Sequence, residues 1–309
     1  MTAAIRLTGV VKRYGATEAL AGLNLEVRRG EMFGLIGADG AGKTTAIRLM
    51  CGLLHADAGE VRVLDRDAVR EHRAVTETVG YLSQRFSLYG DLSIDENIAF
   101  VAEIHGVRDY QRRRDQLLAM TQLTPFRDRL ADRLSGGMKQ KLALACTLVH
   151  EPQLILLDEP TTGVDPVSRR EFWKLLSEFL ARGITILMST PYLDEAERCS
   201  RVALLHEGRV LATDEPSRLR AQAPGTLVEV LAPGATGVVA AIRRMPGVVD
   251  AQVFGERLHV TLADTGEGVV AAFAATLRAT TLRDAAVREV APSLEDVFIA
   301  QLAATGARS

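Results

Sequence analysis

The residues with the most specific chemistry are Gly37-Ala38-Asp39-Gly40-Ala41-Gly42-Lys43-Thr44, followed by Thr45. They match G-x-x-x-x-G-K-[ST], a loop that cradles phosphates where it follows a strand and opens a helix. Glycines let backbone N–H groups turn inward towards phosphate oxygens without a Cβ in the way. The helix start adds partial positive charge. Lys43 has the reach for the β- and γ-phosphates, and the Thr44 hydroxyl suits Mg²⁺. A flexible glycine turn is the plainer reading of the same residues. A second candidate is Leu154-Ile155-Leu156-Leu157-Asp158-Glu159, an apolar run that delivers two carboxylates at its end. Beside a phosphate loop, Asp158 is expected to hold Mg²⁺ through water. Glu159 is expected to orient and deprotonate an attacking water. An exposed acidic turn is the alternative. A third candidate, Leu134-Ser135-Gly136-Gly137-Met138-Lys139-Gln140, places Ser-Gly-Gly at a helix start. That is either a second anion-binding terminus or an ordinary helix cap.

The elements that must position these residues are legible in outline. Strand-like segments cover Ala4–Val11, Leu23–Val27 and Glu31–Ile36, and a helical period covers Thr44–Leu54. The continuous apolar runs Leu154–Leu157 and Ile184–Met188 suit strands buried on both faces of a parallel sheet. Helical periods over Gln111–Gln122, Lys139–His150 and Pro166–Ala181 lie between them. Asp165-Pro166 reads as an N-cap with proline at the first helical position. Strands alternating with helices predict an α/β domain.

A compositional break at Ala221-Gln222-Ala223-Pro224-Gly225 divides the chain into residues 1–222 and 223–309. The second zone is Ala/Val-rich and reads β-α-β-β-α-β. Its strands are Thr226–Leu231, Val248–Val253, Arg257–Leu262 and Ala285–Val290. Its helices are Gly237–Met245 and Gly268–Leu277, with a last helix near Leu294–Ala303. That order predicts a small ferredoxin-like α+β domain.

Composition excludes several classes. With 37 basic against 39 acidic residues, the net charge of −2 supplies no field for nucleic acid. Hydrophobic residues at 47% and charged residues at 25% fit an ordinary globular chain rather than a disordered one. The three cysteines, Cys51, Cys146 and Cys199, form neither a disulfide framework nor a zinc cluster, so a reducing cytosol is expected. No run approaches the ~18 apolar residues of a membrane span, and Met1–Arg6 does not open a signal peptide. A cytoplasmic protein is expected, reaching a membrane only through a partner.

Taken together, the phosphate loop, the Asp158-Glu159 strand end and Ser135-Gly136-Gly137 some twenty residues before Asp158 resemble ATP-binding cassette (ABC) ATPases. The resemblance covers residues 5–220. It implies a P-loop domain with a RecA-like core plus antiparallel-β and helical subdomains. By resemblance, Gly37, Ala38, Asp39, Gly40, Ala41, Gly42, Lys43, Thr44 and Thr45 bind ATP, and Tyr14 stacks on adenine. Gln84 in Gly80-Tyr81-Leu82-Ser83-Gln84 touches Mg²⁺ together with Thr44 and Asp158, and senses a transport partner. Gly163-Val164-Asp165 is the loop that crosses between paired domains. Glu159, Lys43 and Gln84 form the implied catalytic set.

The segments Arg85-Phe86-Ser87-Leu88-Tyr89, Glu159–Pro166, Tyr192–Cys199 and Ser293–Ile299 resemble bacterial multidrug-exporter ATPases that act with a separate ABC-2-type permease. The resemblance implies ATP and Mg²⁺ as ligands, pairing with a second cassette, an integral membrane permease, and a place on the cytoplasmic face of the inner membrane. ATP is sandwiched between the phosphate loop of one cassette and the Ser-Gly-Gly motif of the other.

Two positions depart from the family. Ala38-Asp39 stands where Pro-Asn is usual, which adds a charge near phosphate. Pro191, in Met188-Ser189-Thr190-Pro191-Tyr192, stands where a histidine contacts the γ-phosphate. Proline has no side-chain donor and no N–H. A slow site, with the Tyr192 hydroxyl as a candidate substitute, is therefore one reading. A non-hydrolysing regulatory cassette and a soluble ABC protein of translation or repair are the others.

Overall fold

A computed structural model describes residues 3–84, 87–231, 237–266, 268–280, 282, 285–304 and 306. Arg85 and Phe86, part of one exporter-like segment, lie outside the described residues. The chain divides into a unit ending at Pro216 and another from Ser217. The division falls after the first residue of a short helix, Pro216–Ala221.

The first unit runs β1 (Ala3–Tyr14), β2 (Thr17–Arg28), β3 (Met32–Ile36), α1 (Lys43–Met50), β4 (Ala58–Val63), β5 (Arg66–Asp67), α2 (His72–Thr76), β6 (Val79–Leu82), α3 (Ile94–Ile104), α4 (Gln111–Thr121) and α5 (Gly136–Leu148). It continues with β7 (Leu154–Asp158), α6 (Pro166–Ala181), β8 (Thr185–Thr190), α7 (Leu193–Ala196), β9 (Arg201–His206) and β10 (Arg209–Asp214). An antiparallel sheet has the order β2-β1-β4-β5. A second sheet has the order β10-β9-β3-β8-β7-β6, parallel except at the β9–β10 hairpin.

The central strands are apolar without alternation because both faces are covered. Every residue of β3, β7 and β8 is buried. Register then sets the chemistry. Ile36 pairs with Thr190, and Asp158 pairs with Ser189, so the carboxyl ends of β3, β8 and β7 lie side by side. In open α/β sheets that edge is where ligands bind. Helices α3 and α4 pack on α5, forming a helical layer beside the sheet.

Helix α1 stops at Met50, short of the expected Leu54. Gly52 takes φ +68°, and a Cβ there would run into the Ala68 carbonyl, so a long-range approach turns the chain.

The second unit contains most of α8 (Pro216–Ala221), then β11 (Thr226–Leu231), α9 (Val239–Ile242), β12 (Val248–Phe254), β13 (Arg257–Leu262), α10 (Val269–Arg278), β14 (Ala286–Glu289) and α11 (Leu294–Ala304). Its antiparallel sheet has the order β12-β13-β11-β14. Strand β13 separates β11 from β12, and β11 separates β13 from β14, which is a doubled split β-α-β arrangement. Val228, Val230, Leu258, Val260, Phe273 and Leu277 form its core.

Candidate active site

The phosphate loop joins the end of β3 to the start of α1. Ala38, Asp39 and Gly40 form an exposed crest, while Gly37 and Ala41 are buried. The Asp39 carboxylate is thus carried on the solvent side of the loop. Gly42, at φ +105°, precedes α1, and a Cβ there would lie 2.5 Å from the Ala19 carbonyl oxygen. Only glycine combines that backbone with that approach.

Lys43 is 4% exposed, and its ammonium is fully engaged. It donates to the Gly37 carbonyl at 2.8 Å and the Ala38 carbonyl at 3.1 Å, and lies 3.0 Å from Glu159 Oε1. These bonds bend the lysine back along its own loop, towards the exposed crest. The other Glu159 oxygen accepts from Gln84 Nε2 at 2.9 Å. Glu159 holds φ +47°, a left-handed conformation that disfavours a side chain. Such strain persists where the surroundings over-determine it. Here the Glu159 N–H donates to both the Ser189 carbonyl at 3.2 Å and the Ser189 hydroxyl at 3.0 Å.

Asp158 completes the cluster. Its Oδ1 accepts from Thr44 Oγ1 at 3.1 Å and from Ser189 Oγ at 2.7 Å. Its charge is felt nearby. Burial and then Asp158 raise the Cys51 thiol, and the same two causes in the same order push Tyr81 up to about 12. Both groups are neutral at physiological pH.

Five expected residues therefore converge: Lys43, Thr44, Gln84, Asp158 and Glu159. Others stand apart. The Ser135 hydroxyl caps α5, accepting from the Met138 N–H at 3.3 Å, and Ser135 and Gly136 face solvent. Asp165 caps α6 and accepts from the Val167 and Ser168 N–H groups at 3.0 Å each. The hydrogen bonds from Ser168 are the main cause holding its carboxyl below the usual range. Tyr14 is 47% exposed, with the Lys12 ammonium 5.8 Å from its ring centre. Among the described residues, no hydrogen bond or ion pair joins Ser135, Gly136, Gly137, Asp165 or Tyr14 to the phosphate loop.

Ser189 is the residue the sequence reading passed over. It binds Asp158 and Glu159 at once. A small hydroxyl at the carboxyl end of a buried strand neighbouring the Asp158 strand was the available signal. The segment after it is also tied down. Thr190 accepts from the Gly37 N–H at 3.4 Å, so Pro191 follows a residue bonded to the phosphate loop. The Tyr192 N–H donates to Thr190 Oγ1 at 3.0 Å, and the Arg169 guanidinium lies 5.1 Å from the Tyr192 ring centre.

Comparison with known proteins agrees with this geometry. Residues 20–162 match the family model described as ABC transporter. The chain is 39% identical to the probable multidrug ABC transporter ATP-binding protein YbhF of Escherichia coli K12, over 98% of this chain and 53% of that one. It thus spans about half of that relative's length. It is 34% identical to the daunorubicin resistance ATP-binding protein DrrA2 of Streptomyces coeruleorubidus, over 96% of this chain and 94% of that one. Among solved structures, a dimeric ATP-binding cassette in a post-hydrolysis state, bound to ADP and Pi, superposes with a TM-score of 0.62. It is 25% identical and covers 68% of this chain and 98% of that one. A phosphate loop at the edge of a parallel sheet, an Asp-Glu pair one strand beyond its neighbour and a relative matched along nearly its whole length lead to one assignment: the chain belongs to the ABC transporter family.

Proposed function

We propose that the chain binds ATP with Mg²⁺, hydrolyses it, and powers export of drugs or lipophilic compounds through a separate ABC-2-type membrane permease. The observation that carries this reading is the convergence of Lys43, Thr44, Gln84, Asp158 and Glu159 at adjoining strand ends, within 3.1 Å of one another through successive contacts. The exporter role is supported by the multidrug and daunorubicin-resistance names of the relatives. Among the described residues, no helix is long and apolar enough to cross a membrane, which suits a subunit that acts through a permease. A peripheral place on the cytoplasmic face of the inner membrane follows from that role.

Thr44 and Asp158 suit Mg²⁺. Both present oxygen, they already meet at 3.1 Å, and Mg²⁺ uses one or two protein oxygens alongside water and phosphate. When bound, Mg²⁺ neutralises charge on the transferring phosphoryl group. Lys43 leaves Glu159 for the β- and γ-phosphates. Glu159, released on one side and still held by Gln84 on the other, accepts a proton from the attacking water. Loop amides from Gly37 to Thr45 and the first turn of α1 hold phosphate oxygens, and Tyr14 stacks on the base.

Ser135, Gly136, Gly137 and Asp165 serve a second cassette. They lie on helix starts that carry partial positive charge and have no bond to their own phosphate loop. The dimeric neighbour supports the pairing. One residue favours a variant of this reading: Pro191 brings no donor to the γ-phosphate, so turnover is slow unless the partner cassette supplies a histidine.

The experiment is ATP-dependent phosphate release by the chain with its permease, compared with Lys43→Ala. Loss of release in the variant is expected. Equal release from both would sink the reading.

A further inference from the structure

The segment Tyr192–Cys199 holds a buried carboxylate that the reading above leaves without a role. We propose that Glu195 is a positioning residue for ATP hydrolysis, holding the turn after Glu159 and the segment after Ser189 in one register. The proposal rests on the ATPase reading.

Glu195 is 1% exposed. Its Oε1 accepts from Thr161 Oγ1 at 2.6 Å, and its Oε2 accepts from Thr190 Oγ1 at 2.7 Å. These two threonines flank the chemistry. Thr161 lies two residues after Glu159, and its carbonyl accepts from the Val164 N–H at 3.2 Å, which shapes the loop leading to Asp165. Thr190 follows Ser189, the residue that binds Asp158 and Glu159 together, and its carbonyl accepts from Gly37 of the phosphate loop. One carboxylate thus ties both loops that bracket the strained Glu159 backbone.

A purely structural reading fits the position poorly. Burying a carboxylate is costly unless it is closely paired. Among the described residues, the cation paired with Glu195 is Arg169, whose Nε lies 3.7 Å away and is itself buried without a hydrogen-bond partner. Apolar packing holds a loop without that cost. What a carboxylate adds is two acceptors at a fixed separation. That matches two donating threonine hydroxyls, both strong bonds because the acceptor is charged. Pro191 sharpens the need. With no histidine in the segment, its position rests on Thr190, and the Thr190 hydroxyl is held by Glu195 on one side and the Tyr192 N–H on the other.

The chemistry also indicates which substitution should be tolerated. In Glu195→Gln, the amide oxygen can keep the Thr190 bond. The amide nitrogen can donate to Thr161, whose hydroxyl can turn to accept. In Glu195→Ala both bonds are lost.

The test measures kcat and KM for ATP on the full chain, normalised to folded protein, for wild type, Glu195→Ala, Glu195→Gln, Thr161→Val and Thr190→Val. The two valine variants keep volume and remove one hydroxyl each, so they remain informative if Glu195→Ala folds poorly. We expect kcat to fall at least tenfold in Glu195→Ala and several-fold in each valine variant. KM should stay within about threefold, and Glu195→Gln should return kcat to within about threefold of wild type. The Thr190→Val loss should largely disappear in the Glu195→Ala background. Variants with lowered melting temperature but wild-type kcat per folded molecule would make Glu195 structural only and overturn the proposal. A wild-type chain with no phosphate release would instead overturn the ATPase reading.

Discussion

The Lys43 ammonium lies 3.0 Å from the Glu159 carboxylate, with both side chains buried. The group expected to grip phosphate and the group expected to activate water neutralise each other across 116 residues of sequence. A γ-phosphate that takes Lys43 necessarily uncovers Glu159. In the proposed mechanism, nucleotide binding and release of Glu159 are therefore one exchange of partners. The exchange is cheap because the phosphate replaces one anion by another around the same cation.

Lys43→Ala should weaken ATP binding by about 10–100-fold, the loss of one or two charge-assisted hydrogen bonds. It also strands the Glu159 carboxylate in a buried site, at about 3–5 kcal/mol. The variant should therefore melt earlier than wild type, and Glu159→Gln in the same chain should recover most of that loss. Calorimetry and thermal melts of the single and double variants check this. Equal melting of all three would mean that the pair is not formed in solution.

Ser189→Ala should lower kcat about tenfold with a small change in ATP affinity. The hydroxyl orients Asp158 at 2.7 Å and supports the Glu159 N–H at 3.0 Å, and its loss leaves both groups short of a partner. The melting temperature should also fall, because each lost hydrogen bond contributes about 0.5–1.5 kcal/mol, and about 1.5–3 kcal/mol where it serves a charged group. Steady-state kinetics beside a thermal melt separate the two effects.

Stability should decline below neutral pH partly through His150. Its ring stacks on His105 with centroids 3.9 Å apart, and its Nε2 faces the Val79 carbonyl at 3.2 Å. Burial, then the neighbouring His105, hold its pKa down to about 4, from an ordinary 6.5. Burial lowers His105 too. Between those values the unfolded chain binds a proton that the folded chain refuses. Stability is therefore full above about pH 6.5 and falls as pH drops towards 4. Melting temperatures of wild type and His150→Leu at pH 7 and pH 5 should show a smaller drop in the variant. Equal drops would remove His150 from the account.

The difference between what was legible and what was not follows sequence distance. Helix α6 begins and ends where the sequence reading has it, because Asp165-Pro166 is a local signal complete within two residues. Strands β7 and β8 are equally plain, since burial on both faces leaves an unbroken apolar run. Strand β1 runs on to Tyr14, past the expected Val11. Its polar end is held by antiparallel pairing with β2, through register shifts that alternation does not announce. Helix α9 covers only Val239–Ile242 of the expected Gly237–Met245. At the site, residue types identified Lys43, Asp158 and Glu159, but not that Lys43 and Glu159 pair. Glu195 was hidden for a similar reason. In Tyr192–Cys199 it sits among acidic residues and looks like part of a solvated face, and only the fold buries it between two threonines.

Pro191→His should raise kcat at saturating ATP with little change in ATP affinity. A donor that strengthens in the transition state is worth about 2.7–4 kcal/mol, or 10²–10³ in rate. Tyr192→Phe should leave kcat within about threefold, since the ring rests against the Arg169 guanidinium and Phe preserves that packing. No gain from the histidine together with a large loss from the phenylalanine would make the tyrosine hydroxyl the working donor.

If Glu159 activates water in a site completed by a second cassette, its replacement should trap the nucleotide in the paired state. The most direct measurement is the oligomeric state and bound nucleotide of Glu159→Gln with ATP and Mg²⁺, read by sizing chromatography and nucleotide analysis, with phosphate release followed in parallel. A dimer that retains uncleaved ATP and releases phosphate at least about 100-fold more slowly than wild type is expected. A variant that stays monomeric and hydrolyses ATP at the wild-type rate would contradict it.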